Sequence, residues 1–87
     1  NKVKLGVTLE NSENAVRIKS VSVNSNAERA GLKKDDILLA INEIKLIDIE
    51  DLTDTLRKLE IGDRARMIVK RGSEEIAVEI QFRETKR

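Results

Sequence analysis

Cysteine, histidine, proline, tryptophan and tyrosine are all absent from this 87-residue chain, and Phe82 is its one aromatic residue. Without Cys and His there can be no disulfide, no Cys/His zinc site and no Cys–His or Ser–His nucleophile pair. The lack of Cys leaves the redox compartment open. Without aromatic platforms, stacking on nucleic-acid bases has no basis. An excess of one charge is missing too: 17 basic residues face 16 acidic ones, for a net charge of +1. Nothing in that balance suggests a polyanionic partner such as nucleic acid. No apolar run approaches the length of a membrane span, and no signal-peptide pattern is present, so no direct membrane contact is expected of this segment.

Hydrophobic residues make up 39% and charged residues 38%. A chain of this length and balance is expected to form one domain, residues 1–87, with one modest core. It begins at Asn1 rather than Met, and is expected to be an excerpt of a longer protein. The stretch "KLGVTLE", Lys4 to Glu10, sets a glycine at the mouth of an alternating strand, where a plain strand needs none. "VRIKSVSV", Val16 to Val23, alternates with a change of phase between Ile18 and Val21, which predicts a bulge near Ser20 or a switch of sheet there. Asn26 is placed to cap a very short helix through Ala30. Gly31 suits the left-handed position after it, with Leu32 folding back.

"DDILLAIN", Asp35 to Asn42, is a nearly unbroken apolar run and reads as a strand covered on both faces. Asn42-Glu43 turns the chain into a short strand, Ile44 to Ile47. Asp48 and Asp51 form a capping box in shortened form, with Ile47 and Leu52 as a hydrophobic staple. They open a helix, Ile49 to Leu59, whose Leu52, Leu56 and Leu59 share a face. Two strands close the chain, Arg64 to Arg71 and Glu75 to Phe82, followed by a frayed tail from Arg83. The order implies an α+β domain with a mostly antiparallel sheet.

Chemistry is hard to find in this inventory. Asp48, Glu50, Asp51 and Asp54 cluster, but in the first turns of a helix, where acids complement the dipole. They lack the ligand spacing of a calcium loop, so no metal or cofactor is expected. Asp35 and Asp36, as strand neighbours, would point to opposite faces and could not share a proton. The serines have no His, and no lysine sits in an obviously buried setting that would lower its pKa, so no catalytic residue is assigned. Lys33-Lys34, Lys70-Arg71 and Lys86-Arg87 read as solvated surface. Lys2 and Lys4 stand near the glycine and could add long-range attraction for an anion, weak and screened by salt.

Four blocks stand in a fixed order: "LGV", "NAERAGLKKDDILLAIN", "IEDLTDTLRKL" and "GDRARMIVKRG". This order resembles a PDZ domain over nearly the whole chain. In the middle block Ala27, Ala30, Gly31, Leu32, Asp36, Ile37 and Asn42 match the pattern of bacterial protease PDZ domains. Asn26 replaces a proline, Lys34 and Asp35 replace Pro-Gly, and Glu43 replaces a glycine. Only four residues precede Leu5, too few for the leading strand of animal-type PDZ domains, and Glu75 to Phe82 is spare at the other end. The resemblance is therefore to the circularly permuted, bacterial type found in HtrA-like serine proteases, C-terminal processing peptidases and site-2 proteases.

The resemblance implies a PDZ-like α+β fold, a small mostly antiparallel sheet of five to six strands capped by two helices. It implies a groove in which a peptide adds a strand beside Val7 to Glu10. Leu5, Gly6 and Val7 would supply backbone N–H donors to the peptide's terminal carboxylate. Leu5 and Val7 would help wall a pocket for its last side chain, and Thr8 and Leu9 continue the strand. Ile49, Thr53 and Leu56 would face the groove from the helix, with Leu52 and Leu59 turned to the core. Ile49 would favour an apolar third-from-last ligand residue. The partners implied are C-termini of peptides or unfolded proteins, and the catalytic domain of a parent protease in the cell envelope. The competing reading is a docking, gating or oligomerisation domain without a free-peptide ligand.

Overall fold

Period-two alternation of apolar residues builds the strands here, and capped turns start the helices. The computed structural model describes residues 3–13 and 15–83. The elements are β1 (Val7–Ser12), β2 (Ala15–Val21), α1 (Asn26–Ala30), β3 (Ile37–Ile41), β4 (Ile44–Lys45), α2 (Ile49–Arg57), β5 (Arg64–Arg71) and β6 (Glu74–Gln81). All strand pairs are antiparallel, in the order β1-β2-β3-β5-β6, with β4 paired to β3. This is the expected α+β, PDZ-like architecture, with six strands and two helices. Lys2 and the expected frayed residues 84–87 lie outside the described residues.

The inward residues of each strand meet in one core. Val16, Ile18, Leu38, Ile41, Met67, Val69, Ile80 and Phe82 are fully buried there. The phase change in β2 is a bulge: Thr8 pairs with Ser20 but Leu9 with Ile18, so Lys19 is the extra residue. It lies beside the expected Ser20, and it returns Val21 to the core side with Val16 and Ile18, while Val23 lies beyond the strand and is 78% exposed.

Four local expectations are corrected. The cap of α1 is Ser25, not Asn26. Ser25 is extended (φ −87°, ψ 168°) and its Oγ accepts from Glu28 N at 3.0 Å, while Asn26 is the first helical residue. β3 is covered fully on one face only. Leu38 and Ile41 are buried, but Ile37, Leu39 and Ala40 are half-buried, because two short helices cannot cover both faces of a six-stranded sheet. Asp35 is not in a strand; it sits at φ +75° in the turn before β3. Finally, α2 ends at Arg57, so Leu59 packs on the core from beyond the helix.

Other local signals held. Gly31 takes φ +98° and closes α1, its N–H donating to Ala27 O and Glu28 O. Asp48 and Asp51 form a reciprocal capping box at α2. Ile47 stays 45% exposed, so a staple to Leu52 covers it only in part.

One buried ion pair locks the back of the molecule. The Asp36 carboxylate accepts from Arg71 Nε at 2.9 Å, Arg71 Nη2 at 2.7 Å and Lys33 N at 2.9 Å. Arg71 Nη2 also donates to Gly31 O at 2.9 Å, which ties the C-terminal end of α1 to the end of β5. Burial by itself would raise the Asp36 carboxyl. The Arg71 and Lys33 hydrogen bonds and charges outweigh it and hold the carboxyl below its ordinary 3.8.

Candidate functional site

β1 is an edge strand, with β2 on one side only. Helix α2 runs beside its free edge. Between them lies an open groove of about 360 Å³, lined by Val3, Lys4, Leu5, Gly6, Val7, Leu9, Ser22, Leu52, Thr53 and Leu56. Its floor is apolar and buried: Leu5 is 3% exposed and Leu52 1%. Val7, Leu9 and Leu56 are partly buried and form the walls. Lys4 and Ser22 are the polar rim at one end. At the other end, Asn11 Oδ1 accepts from Ile49 N at 2.9 Å, which fixes the start of α2 against β1.

The segment before β1 is built to aim backbone donors. Three consecutive carbonyls are tied into the protein. Lys4 O accepts from Asn26 Nδ2 at 2.8 Å, Leu5 O from Ala27 N at 2.9 Å and Gly6 O from Ser22 N at 2.9 Å. In a trans peptide the C=O and the following N–H point in opposite directions. Each tied carbonyl therefore turns the next N–H, of Leu5, Gly6 and Val7, away from the body of the protein. Among the described residues the Leu5 and Gly6 N–H groups find no backbone acceptor. The Ser22–Gly6 bond also makes Val7 and Val21 a non-hydrogen-bonded pair, so the Val7 N–H and C=O face the free edge. Successive outward-facing N–H groups of this kind can form an anion-binding concavity.

Gly6 is required for this shape. Its φ is +87°, and a Cβ built there falls 2.3 Å from Ser25 Cβ. The loop thus rests directly on the residue that caps α1. A larger recess of about 480 Å³ lies over Asn42, Glu43, Arg66 and Ile68. There Asn42 and Arg66 already satisfy each other, through Asn42 N to Arg66 O and Arg66 N to Asn42 Oδ1. It offers no comparable set of convergent donors.

An edge strand, a neighbouring helix wall and an outward-facing amide loop form a combination that comparison with known proteins resolves. A profile of the PDZ domain matches residues 3–82. The chain belongs to the PDZ domain family. Its sequence is 27% identical over 72 residues to a serine protease Do-like HtrA of Lactobacillus helveticus. That match covers 83% of this chain and 17% of the protease, so the chain spans a small part of its relative's length. Among solved structures, a serine endoprotease from Yersinia pestis is 25% identical with a TM-score of 0.84, over 98% of this chain and 30% of that one. The HtrA-type protease AlgW with a decapeptide gives a TM-score of 0.88 at 15% identity, over 99% of this chain and 30% of that one. The HtrA3 PDZ domain bound to a phage-derived ligand gives 0.83 at 19% identity, over 93% and 85%.

Against this PDZ fold, the expected site residues divide. Leu5, Gly6, Val7, Leu9, Thr53 and Leu56 come together on the groove. Thr8 is exposed on β1 and contributes strand backbone. Ile49 is half-buried and packs against the core at the groove's far end, outside the lining. Leu52, expected to face only the core, also forms the groove floor. The residues that hold the loop from behind, Ser22, Ser25, Asn26 and Ala27, were not foreseen as part of the site. Their only signal in the sequence is proximity to the short α1 helix, and contacts made from behind the loop leave no periodicity.

Proposed function

We propose that this PDZ domain captures the C-terminus of a peptide or unfolded protein by strand addition between β1 and α2, and serves a parent bacterial protease of the cell envelope. The observation that carries this reading is the set of three tied carbonyls that turn the Leu5, Gly6 and Val7 N–H groups outward at the mouth of an apolar groove. A carboxylate receives charge-assisted bonds from these donors, each contributing about 1.5–3 kcal/mol. The ligand's backbone pairs with β1, and its last side chain enters the pocket of Leu5, Val7, Leu52 and Leu56. Burial of a Val or Leu there adds about 1.5–3 kcal/mol. Lys4 at the rim adds a weaker, salt-screened attraction. Ile49 favours an apolar third-from-last residue. The described residues leave the groove open, which supports a ligand from outside over a domain that blocks its own groove.

The test is an amide-resolved NMR titration with a peptide ending in apolar residues, as free acid and as C-terminal amide. The free acid should shift Leu5 to Glu10 and the α2 amides, and the C-terminal amide much less. Equal shifts would indicate capture of internal extended segments. No shift across a diverse peptide set would favour docking or gating. Leu56→Lys offers a second check. Its side chain is only partly buried, so the fold should persist while a charged head fills the pocket. Calorimetry should show peptide binding lost; unchanged affinity would remove Leu56 from the groove.

A further inference from the structure

We infer that Asn26 is the positioning residue that makes the loop selective for a carboxylate, a role that rests on the C-terminus reading above. Asn26 is 2% exposed, and both ends of its amide are used. Its Nδ2 donates to Lys4 O at 2.8 Å and to Arg83 O at 3.2 Å. Its Oδ1 accepts from Arg83 N at 3.1 Å and Arg29 Nη2 at 2.6 Å. The bonds from Arg83 and Arg29 can only meet an oxygen, so they fix which end of the amide faces Lys4.

The other two carbonyls of the loop are held by backbone N–H groups, Ala27 N and Ser22 N, which any residue but proline supplies. The Lys4 carbonyl alone is held by a side chain. The orientation of the Leu5 N–H, first of the three donors, therefore depends on the identity of residue 26.

Two variants separate this role from general support. Asn26→Asp keeps an acceptor for Arg83 and Arg29 but sets an oxygen against Lys4 O. Asn26→Pro removes the side-chain amide at the first position of α1, where proline is well tolerated. The extended conformation of Ser25 suits a following proline, and no hydrogen bond of the Asn26 backbone N–H is lost among the described residues. This variant is expected to fold.

The readout is the affinity ratio between a short peptide ending in Leu-Val as free acid and as C-terminal amide, with the Leu5 amide shift followed by NMR. The parent should bind the acid about tenfold or more tightly than the amide. In both variants the ratio should fall towards one, chiefly through weaker binding of the acid, and the acid-induced shift of the Leu5 amide should shrink. A ratio equal to the parent's in both folded variants overturns the assignment and leaves the groove reading intact. Equal weakening of acid and amide also overturns it, because Asn26 would then only support the fold. No acid preference in the parent removes the carboxylate reading, and this assignment with it.

Discussion

Gly6→Ala is expected to lower the melting temperature by about 8–40 °C and to weaken free-acid peptide binding about hundredfold. Two effects add. The residue would have to hold φ +87° with a side chain, which costs about 1–2 kcal/mol. Its Cβ would also fall 2.3 Å from Ser25 Cβ and 3.0 Å from Ser25 Oγ. Ser25 cannot step aside cheaply, because it is buried and caps α1. Overpacking of this kind costs about 1–3 kcal/mol. A domain of this size loses about 4–8 °C per kcal/mol, which gives the stated range. Binding suffers because relief of the clash moves the loop off α1 and misaligns the Leu5 O–Ala27 N bond that aims the Gly6 N–H. Loss of the charge-assisted bonds from the Leu5 and Gly6 N–H groups, at about 1.5 kcal/mol each, would account for about hundredfold. Ser25→Gly supplies the control. By itself it should cost only a few tenths of a kcal/mol as a cap change. Combined with Gly6→Ala it should restore part of the lost stability, since the clash is gone and only the φ strain remains. Urea denaturation of the four proteins gives the coupling directly. Simple additivity would mean that the loop does not rest on Ser25.

The same pair shows which features a sequence discloses. A glycine before an alternating strand is visible as an anomaly, and the groove residues Leu5, Val7, Leu9 and Leu56 follow from periodicity and the resemblance together. Strand limits were easiest where alternation was clean: β5 runs from Arg64 to Arg71 as expected, and β6 lies within one residue of its expected ends. The phase change in β2 was legible as either a bulge or a switch of sheet, and the pairing of both halves of β2 with β1 decides for the bulge. What was not legible is the back of the loop. Ser25 and Asn26 are neighbours of similar capping propensity, so local chemistry cannot choose between them. The choice is made 22 residues away, where Lys4 O claims the Asn26 amide. Nor does the apolar run of β3 reveal how many faces are covered, because that depends on how much helix the rest of the chain can lay over the sheet.

Helix α1 therefore joins two tasks, and its two ends should respond to mutation in different ways. At its N-terminal end, Ser25, Asn26 and Ala27 shape the donor loop. At its C-terminal end, Gly31 O is held by Arg71, which is paired with the buried Asp36. Arg71→Met is expected to cost about 2–4 kcal/mol at neutral pH. Breaking a buried pair typically costs about 3–5 kcal/mol, and the figure is reduced here because the Arg71 side chain is 37% exposed. The loss should depend on pH with a defined sign. In the parent the Asp36 carboxyl is held below its ordinary 3.8. Its contribution is fully present above that value and disappears as the pH falls through the folded value. Without Arg71 the carboxyl loses a main partner that holds it down and its folded value rises, so the variant loses less stability than the parent as the proton is bound. The two stability curves should therefore converge below about pH 4, and Asp36→Asn should show little of either slope. Denaturation followed from neutral to acid pH tests this; a constant gap between the curves would remove the pair as its source. Peptide selectivity provides the contrast. In folded Arg71→Met the acid-to-amide ratio should match the parent's, because the change lies at the end of α1 away from the donor loop. Asn26→Pro should do the opposite and keep the fold while losing the ratio.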